Sequence, residues 1–157
     1  MKMQQIYTRI DERLIHGQVS LRWKQVYGIT RYIVVDDLCA KDSFRQKIMC
    51  TSDKTPTDFL SVQEAVIQIP KYGKDTLLVI APSPFEILEL VKKGVKIPSC
   101  NIGNMHMSVD RVQIGTSVAI SLKEKQAFQE MMKAGVQLEM RPYPESESEC
   151  LEILLEE

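Results

Sequence analysis

Apolar runs of strand length alternate with stretches of helical period along the chain. Residues 6–10 predict a first strand, and 18–26 a helix with Val19, Trp23 and Val26 on one face. Residues 32–35, Tyr-Ile-Val-Val, form a continuous apolar run of the kind buried on both faces of a sheet. A helix over 41–49, a short strand over 59–62 and a helix over 63–68 ending at Pro70 follow. Residues 77–80 predict another strand. Ser83, Pro84 and Glu86 then carry helix-start chemistry for 85–93, which stops at Gly94. Short strands are expected at 102, 118–120 and 136–140, with antiparallel pairing at one sheet edge. Ser121 should cap a helix running through Lys133, and 146–155 read as an acidic terminal helix. This alternation predicts an α/β fold: one domain over 1–157, with a mainly parallel sheet flanked by helices.

Composition narrows the function classes. The 157 residues suit a single domain, and 44% hydrophobic with 26% charged residues is ordinary for a globular protein. With 20 basic and 21 acidic residues the net charge is -1, so no global attraction to nucleic acid is expected. The longest apolar run, 77–81, is far short of the roughly 20 residues that span a bilayer. The polar start of the chain enters a strand directly, so no leader is expected. Cys39, Cys50, Cys100 and Cys150 lack zinc or redox spacing and read as reduced packing thiols in a cytoplasmic protein. The glycines show no nucleotide-loop spacing.

The chemistry gathers in residues 8–19, Thr-Arg-Ile-Asp-Glu-Arg-Leu-Ile-His-Gly-Gln-Val, between the first strand and the first helix. Loops at the carboxyl ends of parallel strands are where ligands bind in such sheets. The helix start, opened by Gly17 and Gln18, offers unpaired amides and a positive dipole end to an anion. Arg9 and Arg13 supply guanidinium forks suited to phosphate oxygens. His16 supplies an imidazole, a side chain that can act as a nucleophile. Asp11 can cap the loop or orient a side chain. The same residues also suit a capping histidine beside a solvated ion-pair face, and local chemistry leaves both readings open.

Elsewhere, Asp36 or Asp37 could bond the imidazole or hold the first loop, and with Asp42 they make an unconvincing metal cluster. Lys123, Glu124, Lys125 and Glu130 read as a solvated helix face. Met105, Met107, Met131 and Met132 read as core or interface filler, and Trp23 as packing on the sheet.

The segment 9–19 with Trp23 downstream resembles the phosphorylation-site segment of the mannose/sorbose-family IIB components of bacterial sugar phosphotransferase systems. Val34-Val35-Asp36-Asp37 with Ala40-Lys41-Asp42 is a second match. Asn101-Ile102-Gly103-Asn104-Met105-His106 before Gln113-Ile114 is a third. The resemblance spans about residues 6–144. It implies a protein-phosphohistidine–sugar phosphotransferase, with no metal or organic cofactor for this step. His16 would accept phosphoryl from a phosphorylated IIA protein and pass it to a sugar held by the membrane components IIC and IID. It places the chain in the cytoplasm, peripherally at the transporter, and leaves room for a homodimer. Arg13 then matches the loop arginine that holds the phosphate, and Asp11 its neighbouring acid. The Asn104-Met105-His106 triplet is similar to members associated with N-acetylgalactosamine or galactosamine uptake, although selectivity resides mainly in the membrane components. His106 could line the face that meets IIC and IID, or be a plain loop histidine. Two stretches depart from the family pattern: the acidic end from Ser146, and the loop 108–111, which lacks a glycine often found there. The competing readings are a histidine-dependent phosphohydrolase and a regulatory or adaptor domain of the same fold.

Overall fold

The computed structural model describes residues 4–50 and 54–156. In chain order its elements are β1 (Gln5–Asp11), α1 (Gly17–Tyr27), β2 (Arg31–Val35), α2 (Ser43–Met49), β3 (Thr57–Leu60), α3 (Val62–Gln68) and β4 (Thr76–Ala81). Then come α4 (Pro84–Lys92), β5 (Ser99–Asn104), β6 (Val112–Gln113), β7 (Ala119–Ile120), α5 (Leu122–Lys133) and β8 (Gln137–Met140). Six strands form one sheet in the order β3-β2-β4-β1-β5-β8, and every pairing in it is parallel.

Strand order and crossover handedness together place the helices. Steps from β1 to β2 and from β2 to β3 run one way along the sheet. Steps from β3 to β4, β4 to β5 and β5 to β8 run the other way. Right-handed crossovers then send α1 and α2 to one face and α3, α4 and α5 to the opposite face. The core divides accordingly. Ile33, Val35, Leu77 and Val79 join Ile87, Leu90, Phe128 and Met131 on one side. Tyr32, Val34, Leu78 and Ile80 join Trp23, Ile29 and Leu14 on the other. The period-two alternation along β2 and β4 is what feeds both cores from strands that read as uniformly apolar.

One consequence fixes the site. β1 leads into a helix on one face, while its neighbours β4 and β5 lead into helices on the other. The chain parts at the carboxyl end of β1, which opens the crevice where open α/β sheets bind ligands.

Four expectations are corrected. The antiparallel strands do not extend a sheet edge: β6 and β7 form a separate ribbon, and β5 and β8 join the parallel sheet. The acidic helix over 146–155 reduces to a 3-10 turn at Glu152–Leu155. Before it the chain folds back on β8, with Glu149 N donating to Met140 O and Met140 N to the Ser148 hydroxyl. These bonds to the end of β8, with Glu149 also accepting from Thr116, hold the segment in a non-helical path. Val26 is 54% exposed, and Tyr27 replaces it on the buried face of α1, stacked on Trp23 with centroids 5.5 Å apart. The 19-23-27 line keeps one helix face, as i, i+4 spacing requires. Cys50 and Cys150 are exposed, so packing accounts only for Cys39 and Cys100.

The boundary near residue 60 also moves. Ser61 is the N-cap of α3, in a reciprocal capping box with Glu64, which ends β3 at Leu60. A similar box joins Ser121 and Glu124 at α5.

Phe128 is fully buried where α5 meets the sheet. Phe128→Ala should destabilise the fold by about 3–5 kcal/mol through lost burial and the cavity left behind, as read by urea denaturation.

Candidate active site at the end of the first strand

The site begins where β1 leaves the sheet. Its pairing with β5 shifts register between Ile10 and Asp11, and Glu12 N donates to Asn104 O at 3.1 Å. The chain then turns sharply: Leu14 N donates to Asp11 O at 2.9 Å. Leu14 takes φ +59, a left-handed conformation that a leucine adopts only when its surroundings insist. Here the driving term is burial of its side chain in the core beneath α1. Ile15 follows, and His16 is the extended N-cap residue of α1. Gly17 follows at φ +44, which glycine tolerates without a Cβ clash.

The turn wraps around the buried carboxylate of Asp11, which accepts from four donors. Oδ2 takes His16 Nε2 at 3.0 Å and Arg9 Nη2 at 3.3 Å. Oδ1 takes the Arg13 backbone N–H at 2.9 Å and Arg13 Nε at 3.3 Å. Burial alone would raise the pKa of this carboxyl. The His16 bond, the Arg9 charge and the Arg13 amide outweigh it and hold the carboxyl below its ordinary value. An ionised carboxylate only accepts, so Nε2 of the imidazole must carry the hydrogen. In the neutral ring the lone pair then sits on Nδ1. The His16 side chain is 25% exposed, so the ring reaches solvent while Nε2 is tied inward. Its backbone N–H donates to the Ser20 hydroxyl at 3.2 Å.

The sequence-predicted residues divide by position. Asp11, Arg13 and His16 come together. Arg13 bonds Asp11 through Nε and remains 43% exposed, leaving its guanidinium at the rim. Gly17 and Gln18 occupy the first turn of α1, and the Gln18 side chain lies outside the described part of the structure. Arg9 departs from a ligand-facing role. It is 3% exposed, and its guanidinium points inward to Asp11 and to the carbonyls of Arg141 and Pro142, each at 3.3 Å. It lies over the Trp23 ring, 5.1 Å from the centroid. Burial lowers its pKa, with Asp11 opposing. Asp36 and Asp37 do not reach the imidazole among the described residues. They accept from Leu38 N and Val62 N and hold their own loop.

Sequence reasoning missed the supports of this cage. Gly103 is one: a Cβ there would collide with the Arg9 guanidinium. Its presence in the matched 101–106 segment was the available signal. Glu124 is another. It is buried and paired with Arg111, not on a solvated face.

Comparison with known proteins decides the family. Residues 6–157 match the model of the phosphotransferase system sorbose subfamily IIB component. The chain belongs to this family. It is 32% identical over 148 residues to the fructose-specific EIIB component of Bacillus subtilis, covering 92% of this chain and 91% of that one. It is 35% identical over 138 residues to the mannose-specific EIIAB component of Escherichia coli, spanning 42% of that longer protein. The crystal structure of N-acetylgalactosamine-specific IIB component 1 from Escherichia coli superposes with a TM-score of 0.89 at 28% identity, covering 94% of this chain and 99% of that one. The chain is therefore a sugar phosphotransferase component of the IIB type. Among its described residues no helix is long and apolar enough to cross a membrane.

Two outcomes follow from the Asp11 cage. Asp11→Asn should cost about 3–5 kcal/mol at neutral pH, because it strands the buried Arg9 charge. Because the native carboxyl has a depressed pKa, its contribution is complete above the unfolded value. It is lost as pH falls through the folded value, below 3.8. Urea denaturation should show the gap between wild type and Asp11→Asn constant from pH 5 to 7 and closing under acid. Gly103→Ala should force Arg9 off Asp11 and destabilise by about 1–3 kcal/mol, a typical overpacking cost, in the same assay.

Proposed function

We propose that His16 is the phosphoryl carrier and that Nδ1 is the reacting nitrogen. The observation that carries this reading is the 3.0 Å bond that commits Nε2 to Asp11 and leaves the other nitrogen with its lone pair. Nδ1 attacks the phosphorus of a phosphohistidine on IIA, and the donor's P–N bond breaks as the new one forms. Asp11 stabilises the positive charge that the ring gains. A sugar hydroxyl held by IIC and IID then attacks phosphorus, and its proton leaves to solvent. The P–N bond breaks and neutral His16 is restored.

The transferred group needs charge stabilisation more than covalent help. The exposed guanidinium of Arg13 and the first-turn amides of α1, at Gly17 and Gln18, supply it. Arg9 acts behind Asp11 and does not touch the phosphoryl group. The whole chain serves as one IIB domain. It works on the cytoplasmic side, peripherally at the transporter, with IIA on a separate chain or, as the EIIAB relative's name indicates for that protein, on the same one. Every group named here comes from one chain, so the step requires no homodimer. N-acetylgalactosamine is the sugar to try first, given the 104–106 triplet and the superposed N-acetylgalactosamine-specific structure.

A phosphohydrolase would need an acid to protonate the leaving group. Asp11 is buried, bound by four donors and held ionised, which unsuits it for that role. An adaptor would not need an intact cage.

The test is intact mass with site mapping under alkaline handling, after incubation with phosphoenolpyruvate, the general phosphotransferase proteins and a cognate IIA. One IIA-dependent phosphate on His16 is expected, with none on His16→Gln. Arg13→Ala should slow transfer about 10²–10³-fold, the usual effect of losing one charge-stabilising donor, with little change in melting temperature. Sugar phosphorylation by His16→Gln would refute the assignment.

A further inference from the structure

Arg111 lies in the loop between β5 and β6, remote in sequence from His16. Its side chain is only 14% exposed. Nε and Nη2 bond the two carboxylate oxygens of Glu124 at 2.9 and 2.6 Å. Nη1 bonds Glu12 Oε1 at 3.0 Å and the His106 carbonyl at 2.6 Å. Glu12 Oε1 also accepts from the His106 backbone N–H. Glu124 is itself fixed, because it closes the capping box at the start of α5. A rigid fork thus runs from a helix terminus, through Arg111, to the residue that follows Asp11.

Glu12 occupies the outer side of the strained turn. Asp11 carries the four-donor cage, Arg13 donates to it through backbone and side chain, and Leu14 is held at positive φ. A turn that contains a left-handed leucine persists only while its surroundings over-determine it. On the inner side that constraint is the buried Leu14 side chain. On the outer side it is Glu12, held by Asn104 O through its backbone and by Arg111 through its side chain.

We propose that Arg111 is a positioning residue for phosphoryl transfer, clamping the Asp11–Leu14 turn through Glu12 so that Asp11 stays aimed at His16. The inference rests on His16 as the carrier. Only arginine can serve three acceptors with a planar fork, so lysine should replace it in part. A small loss of alignment at a reacting group costs rate more than binding.

The test has an arm that does not need the reaction. Amide hydrogen exchange of the isolated protein should show Glu12, Arg13 and Leu14 exchanging about tenfold faster in Arg111→Met, with α4 amides unchanged. In single-turnover transfer from phospho-IIA, Arg111→Met should lower the maximal rate about tenfold while the half-saturating IIA concentration stays within about twofold. Arg111→Lys should recover part of that rate. Glu12→Gln, which leaves the Arg111–Glu124 pair in place, should show the same pattern more mildly and serves if Arg111→Met does not fold. Ser61→Ala, which removes the α3 cap far from the site, is the stability control and should transfer at the wild-type rate. A rate for Arg111→Met no lower than that of Ser61→Ala overturns the clamp. So does a rise in half-saturating concentration at unchanged maximal rate, which marks a docking role. If wild type gains no phosphate on His16, the carrier reading fails, and unchanged exchange in Arg111→Met then overturns the clamp as well.

Discussion

The buried carboxylate of Asp11 is the constraint on which the site depends. A lone ionised acid in the interior is costly, and this one is sustained by four donors from three residues. Each donor is held in place by the same act. Arg9 is fixed between Asp11, two carbonyls and the Trp23 ring. Arg13 folds back so that backbone and side chain meet one oxygen. His16 is brought into register across a tight turn. The charge is therefore an organiser: removing it would release a buried guanidinium, an imidazole and a strained turn together.

The fold explains why this cage forms at the end of β1. Helices leaving β1 and its two neighbours diverge to opposite faces, which opens a crevice at that strand end. That opening lies above a strand whose last four residues, Thr8 to Asp11, are buried. Asp11 sits at the last position of that strand and His16 at the first cap of the helix. A short turn links a rigid, dry base to a rim that reaches solvent. The left-handed Leu14 is the local cost of that link, and burial of its side chain offsets it.

Much of this was legible in the sequence, for definite reasons. β2 and β4 announce themselves because strands buried on both faces have no polar positions to obscure them. The 85–93 helix was readable from Ser83, Pro84 and Gly94, since capping chemistry is local. The 9–19 segment stood out because histidine, two guanidiniums and a carboxylate fall on one strand–helix junction. The errors share a different cause. Whether Arg9 faces a ligand or the interior depends on Gly103, which is distant in sequence and yields room only once β1 and β5 pair. Glu124 looked like surface because its partner Arg111 lies in another loop. The acidic end looked helical by composition, yet its serine and glutamate groups bond to β8 and to Thr116 instead. Local chemistry names the groups, and long-range packing decides which way they point.

A carrier that both receives and gives a phosphoryl group at one atom needs a site that favours neither partner strongly. The arrangement meets that need by separating two functions in depth. The groups directly behind the ring are buried, namely Asp11, Arg9 and the carbonyls that Arg9 bonds, while Arg13 ties the same carboxylate from the rim. On the proposed reading, the groups that meet the phosphoryl group lie at the rim: the outer nitrogen of His16, the guanidinium of Arg13 and the first amides of α1. In that proposal the donor protein and the sugar use the same rim in turn. The base is polar and its carboxylate is bonded by four donors, so on that reading the ring is oriented before the phosphoryl group arrives and little has to reorganise at transfer.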